Sequence, residues 1–156
     1  MNICIIGNGP LSRDDRDYVD SSECDEVWRF NDMKNMQKGE RCDGHIVRSF
    51  GRSYWGIHNR PKFLTSTVPL IAIGEATEKL PSSVLVEILD DKKLLYDGCA
   101  SECTSNAEWG FTSGAIGISY FEKRQDVAAV NILGMNFTQS RDSKHERNEK
   151  ALIDSR

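Results

Sequence analysis

Two short apolar runs constrain this chain more than any other feature. Ile3-Cys4-Ile5-Ile6 stops at Gly7-Asn8-Gly9-Pro10, and Leu70-Ile71-Ala72-Ile73 stops at Gly74. A short apolar run closed by turn formers reads as a strand buried inside a sheet. Val27-Trp28-Arg29-Phe30, ending at Asn31-Asp32, and His45-Ile46-Val47 read as two further strands, and Val127 to Leu133, ending at Gly134, as another. Between them, Val84, Leu85, Ile88, Leu89 and Leu95 fall at helical spacing and predict a helix over 84–95. A second helix is predicted over Thr112 to Lys123 and a third from Lys144 onward. The polar stretch containing Asp14 to Asp17, the segment 33–41, the turn formers of 51–61 and the segment 97–110 carry no such period. Strands alternating with helices predict an α/β fold, a Rossmann-like, mostly parallel sheet with helices on both faces. All 156 residues fit one domain.

Composition narrows the class of partner. Charged residues make up 28% and hydrophobic ones 38%, as expected of a globular chain. A net charge of −4 argues against a nucleic-acid partner, which usually needs a basic face. No run is long enough for a signal peptide or a membrane span. Five cysteines, an odd number without framework spacing, predict reduced thiols and a cytoplasmic location. Cys42 with His45 and Cys99 with Cys103 could together make a zinc site, but neither spacing matches a tight ligand knuckle, and no metal is expected.

Four segments carry candidate chemistry. Gly7 and Gly9 remove side chains that would keep a phosphate or ribose from the backbone, and Asn8 between them can donate and accept hydrogen bonds. The same tripeptide also makes a plain tight turn. The place of the third glycine of a dinucleotide fingerprint is Ser12, which disfavours an NAD or FAD site. Asn31 stands at a strand's carboxyl end, where open α/β sheets hold ligands, although asparagine is also a common turn residue. Thr112-Ser113-Gly114 opens a helix, so its hydroxyls can cap and its N–H groups can face an anion. Gly114 weakens the first turn, which points to a ligand pressed against the backbone. Ser143 to Glu146 fits a capping box. His145 then lies in the first turn, biased toward neutral imidazole, with Glu149 on the same face to orient it. That pair suits a general base, or it is a surface pair of little consequence.

The order of these pieces resembles the sialyltransferases that carry the L, S and VS sialylmotifs, in a minimal microbial- or virus-like form. The L-like segment runs from Ile5-Ile6-Gly7-Asn8-Gly9 to Arg29-Phe30-Asn31. The S-like segment runs from Thr112-Ser113-Gly114 to Ile132-Leu133-Gly134-Met135-Asn136-Phe137, and His145 with Glu149 is similar to the VS pair. The resemblance implies a GT-A-variant glycosyltransferase-like sheet. It also implies an inverting, metal-independent transfer of a sugar, sialic acid by analogy, from a CMP-activated donor to a glycan or other hydroxyl acceptor. By the same resemblance Asn8 and Asn31 contact CMP, the Thr112-Ser113-Gly114 backbone holds the cytidine, and His145 takes the acceptor proton. No cofactor is implied beyond the donor.

The chain departs from the family in several places. Three residues rather than four separate His145 from Glu149. Thr138 to Lys144 holds no His or Tyr, so Arg141 or Lys144 would supply the charge beside the phosphate. Cys4 has no partner cysteine within 112–137 for the disulfide of animal members. The stretch from about Ser49 to Gly110 matches no motif. Two other readings stay open: a cytidine-nucleotide-binding module without turnover, and a Rossmann-type oxidoreductase with Asp32 on a ribose.

Overall fold

A computed structural model describes residues 1–90 and 113–135. Its centre is a six-stranded sheet in the order β5-β4-β3-β2-β1-β6. The strands are β1 (Asn2–Ile6), β2 (Glu26–Phe30), β3 (Gly44–Arg48), β4 (Leu70–Ile73), β5 (Leu85–Leu89) and β6 (Ala129–Leu133). Every neighbouring pair is parallel. The described helices are α1 (Arg13–Val19), α2 (Trp55–His58) and α3 (Ser113–Glu122). The α/β expectation therefore holds, and none of these helices is long and apolar enough to cross a membrane.

Alternation along the strands divides the core between two faces. Ile3, Ile5, Trp28, Phe30, Ile46, Ile71 and Ile73 pack with Ile116, Ile118 and Phe121 of α3. On the other face Cys4, Ile6 and Val27 pack with Val19 of α1, and Val47, Leu70 and Ala72 pack with Tyr54 beside α2. Since β1 to β4 are covered on both faces, their sequences are nearly continuous apolar runs.

Two segments differ from expectation. The helix expected over 84–95 is replaced, through residue 89, by the edge strand β5; residues 91–95 lie outside the described residues. The ladder with β4 shifts between Leu70 and Ile71, so Leu85 pairs with Leu70 while Glu87 pairs with Ile71. That bulge lets Leu85 and Leu89, four residues apart as on a helix face, pack in clusters on opposite faces of the sheet. The polar stretch after the first loop is helix α1. Ser12 caps it, accepting from the Asp15 N–H at 3.1 Å while the Asp15 carboxylate accepts from the Ser12 N–H at 2.8 Å. The position that lacks the third fingerprint glycine is thus a capping box.

Candidate functional site at the carboxyl edge of the sheet

Strands β2 to β5 are laid down successively on one side of β1, and β6 lies on the other side. The carboxyl ends of β1 and β6 therefore flank the topological switch point, where open α/β sheets form their ligand crevice. Gly7, Asn8 and Gly9 follow β1, and Gly134 follows β6. The Gly7 N–H donates to Leu133 O at 2.9 Å and the Gly9 N–H to Gly134 O at 2.7 Å, which continues the ladder past the strands. A Cβ on Gly7 would lie 2.6 Å from Gly134 O and 2.8 Å from Met135 Sδ. Gly7 is thus required by the close approach of two chain segments, whatever else the loop holds. Gly134 has φ +62°, in the left-handed region, and ends β6 in a turn.

Asparagine side chains fix this loop from inside. Asn8 Nδ2 donates to Phe30 O at 3.3 Å, and Asn8 Oδ1 accepts the Lys34 N–H at 3.0 Å. The Asn8 side chain therefore ties the β1 loop to the β2 loop. Asn35 Nδ2 donates to both Gly7 O at 2.7 Å and Gly9 O at 2.5 Å. Nothing local in the sequence marks Asn35, a loop amide that serves carbonyls nearly thirty residues upstream. Among the described residues the Asn8 N–H takes no partner, and Asn8 is exposed.

Asn31 ends β2 with φ 46°, a conformation asparagine tolerates better than most residues. Its N–H donates to Ile46 O at 2.8 Å, and its Oδ1 accepts the Arg48 N–H at 3.1 Å. A Cβ on Gly56 of α2 would fall 2.6 Å from Asn31 Cα, so that helix rests directly on this strand end. His45 lies beneath, fully buried, and its Nε2–H donates to Asn31 O at 2.5 Å. Nδ1 of the same ring has no partner. Burial pushes the imidazole down to about 4, against the pull of its hydrogen bond to Asn31.

Glu40 anchors the rest of the β2–β3 loop. Its carboxylate accepts from Arg16 of α1, from Arg29 Nη2 at 3.3 Å and from the Gln37 N–H at 2.9 Å. Arg29 is 1% exposed, and its Nε also donates to Arg41 O at 3.1 Å. Burial lowers the guanidinium pKa while Glu40 opposes that shift. Arg29 is thus a buried structural cation.

Helix α3 reaches the same edge. Phe121 packs on Trp28 with ring centroids 5.1 Å apart, and Gly117 lies against Phe30 and Ile46. The helix therefore runs antiparallel to the strands, and its first turn, Ser113-Gly114, lies at their carboxyl ends. Gly7, Asn8, Gly9, Asn31, Ser113 and Gly114 thus share one edge. Thr112, His145 and Glu149 lie outside the described residues, as do Arg141, Lys144, Asn136 and Phe137.

Asp32 has a largely buried carboxylate 3.6 Å from Lys34 Nζ. The Cys42 thiol donates to Gly44 O at 3.3 Å and is pushed up to about 11 by burial, and Cys99 and Cys103 lie outside the described residues. Among the described residues no three His, Cys, Asp or Glu side chains gather as a metal site. No protein-family model matches the chain, and no curated protein or solved structure matches it either.

Proposed function

We propose that the chain binds a CMP-activated sugar at the switch point and transfers the sugar to an acceptor hydroxyl, as a minimal sialyltransferase-like, GT-A-variant enzyme of the cytoplasm. The observation that carries this reading is the meeting of the Gly7-Asn8-Gly9 loop, Asn31 and the start of α3 at the carboxyl edge, beside the β1/β6 boundary. Those are the L-like and S-like segments of the resemblance. A CMP phosphate would take the Asn8 N–H, because the Asn8 side chain is engaged internally. Asn31 would offer its Nδ2, which has no partner among the described residues, and the Thr112-Ser113-Gly114 backbone would face the cytidine.

In this reading His145 takes the proton of the acceptor hydroxyl and Glu149 steadies the ring. The acceptor oxygen attacks the anomeric carbon opposite the phosphate, the bond to CMP breaks, and the configuration inverts. CMP leaves with its negative charge beside Arg141 or Lys144, without a metal.

Calorimetry with CMP, UMP, AMP and NAD tests the site. CMP should bind tightest, and NAD binding as well or better would remove the reading. Release of CMP from CMP-sialic acid, lost on His145→Ala with CMP affinity unchanged, tests the transfer. CMP binding without any release favours the non-catalytic module.

A further inference from the structure

The three-dimensional arrangement gathers an exposed aromatic pair and a hydrogen-bonded acid–imidazole pair on the loops after β3 and β4. Phe50 is 56% and Trp55 43% exposed, although both are large and apolar. Their rings meet edge to face, with centroids 6.5 Å apart. A tight turn holds Phe50 in place: the Phe50 N–H donates to Ser53 O at 2.8 Å, the Ser53 N–H returns to Phe50 O at 3.3 Å, and Gly51 takes φ +59°. Trp55 opens α2 and His58 follows three residues later, so the two share a helix face. His58 Nε2 donates to Glu78 Oε1 at 2.5 Å, and the Tyr54 N–H donates to Glu78 Oε2 at 2.8 Å. Those bonds, the Tyr54 one foremost, hold the Glu78 carboxyl below its usual range.

We infer that Phe50, Trp55, His58 and Glu78 form a binding subsite for an uncharged pyranoside. A pyranose has an apolar face of C–H groups, which stacks on an aromatic ring, and a rim of hydroxyls, which need acceptors and donors beside that ring. Glu78 remains an acceptor at neutral pH and the His58 ring stands beside it, so the rim meets polar partners. The carboxylate disfavours the phosphates of a nucleic acid.

The subsite lies on the same sheet edge as the donor loops, with Gly56 of α2 packed on Asn31. As an acceptor subsite it rests on the transferase reading; as a sugar site it does not.

Saturation-transfer difference NMR with methyl glucoside, methyl galactoside, methyl mannoside and methyl N-acetylglucosaminide reads it directly. At least one glycoside should receive saturation with a millimolar dissociation constant. The Phe50→Ala/Trp55→Ala double variant should weaken it at least tenfold, and Glu78→Gln should weaken it several-fold, with unchanged melting of the double variant as the control. No transfer to any of the four, or transfer that survives the double variant, overturns the inference. So does a short oligouridylate that binds there more tightly than every glycoside. CMP calorimetry on the same sample separates the two readings. CMP binding without glycoside binding leaves the donor site and removes this one, and glycoside binding without CMP binding does the reverse.

Discussion

The carboxyl edge of the sheet has two halves of opposite character. Around β1, β2 and β6 the polar side chains are turned inward, and Asn8, Asn35 and Glu40 hold backbone groups or buried cations. Around β3 and β4 the apolar side chains are turned outward, at Phe50 and Trp55. The first half is a rigid frame whose surface is mainly backbone. The second is a frame of backbone turns whose surface is side chain. Substitution should therefore damage folding in the first half and contacts in the second.

The sharpest test of that contrast is Glu40→Ala. It strips Arg16 and the buried Arg29 of their shared carboxylate. Leaving a buried cation unpaired costs about 3–5 kcal/mol. Urea denaturation should show a loss of that size, and a loss under about 1 kcal/mol would mean that the cluster does not hold the β2–β3 loop.

Acid should act through His45, at the junction of the two halves. Its folded pKa is lowered to about 4 by burial, against an ordinary value of 6.5. Between those values the unfolded chain binds more protons than the folded one, so stability falls as pH drops from about 7 toward 4. The full shift corresponds to about 3 kcal/mol at the low end. His45→Gln keeps an N–H donor toward Asn31 O and does not titrate. It should flatten the stability profile across this window, and an unchanged slope would show that another group is responsible.

Much of this frame is legible in the sequence, for reasons that differ by element. β1, β2, β3 and β4 are covered on both faces, so burial writes itself as short apolar runs, closed by Gly or Asn after β1, β2 and β4. Helix α1 leaves no period, because Val19 is its only buried residue and Arg13 to Asp17 are all charged. Its one signal is the capping pair Ser12 and Asp15. β5 hides because Val84, Leu85, Ile88 and Leu89 recur at helical intervals, while the bulge that sends Leu85 and Leu89 to opposite faces breaks the alternation of a regular strand. The glycines and asparagines at the strand ends are conspicuous, but which atoms they hold depends on Asn35, Gly134 and Arg48, brought in by topology. Phe50, Trp55, His58 and Glu78 form a cluster only after β4 has paired with β3 and returned Glu78 to α2.

Gly7→Ala probes the closest approach in the rigid half. The new methyl group would press on Gly134 O and Met135 Sδ, and a backbone oxygen in a continued ladder yields little. Overpacking of this kind costs about 1–3 kcal/mol. Thermal melts should fall accordingly, and CMP binding should weaken because the Asn8 N–H moves with the loop. A variant that melts like the wild type would show that the β1 and β6 ends are looser than their hydrogen bonds imply.

The smallest effects belong to a matched pair of alanine variants, one from each half. Asn8→Ala removes the side chain that serves Phe30 O and the Lys34 N–H. It should cost about 1 kcal/mol for each lost hydrogen bond, even though Asn8 is exposed. Phe50→Ala removes a larger side chain whose ring is mostly in solvent, while the Phe50–Ser53 turn is held by backbone bonds that the substitution leaves intact. Its stability should stay within about 0.5 kcal/mol of wild type. The smaller residue should thus be the more costly to remove for folding. For glycoside binding the order should reverse, with Phe50→Ala weakened and Asn8→Ala unaffected. Equal stability losses would erase the distinction between the halves. A Phe50→Ala loss above that of Asn8→Ala would mean that the aromatic pair is a piece of core rather than a surface that waits for a sugar.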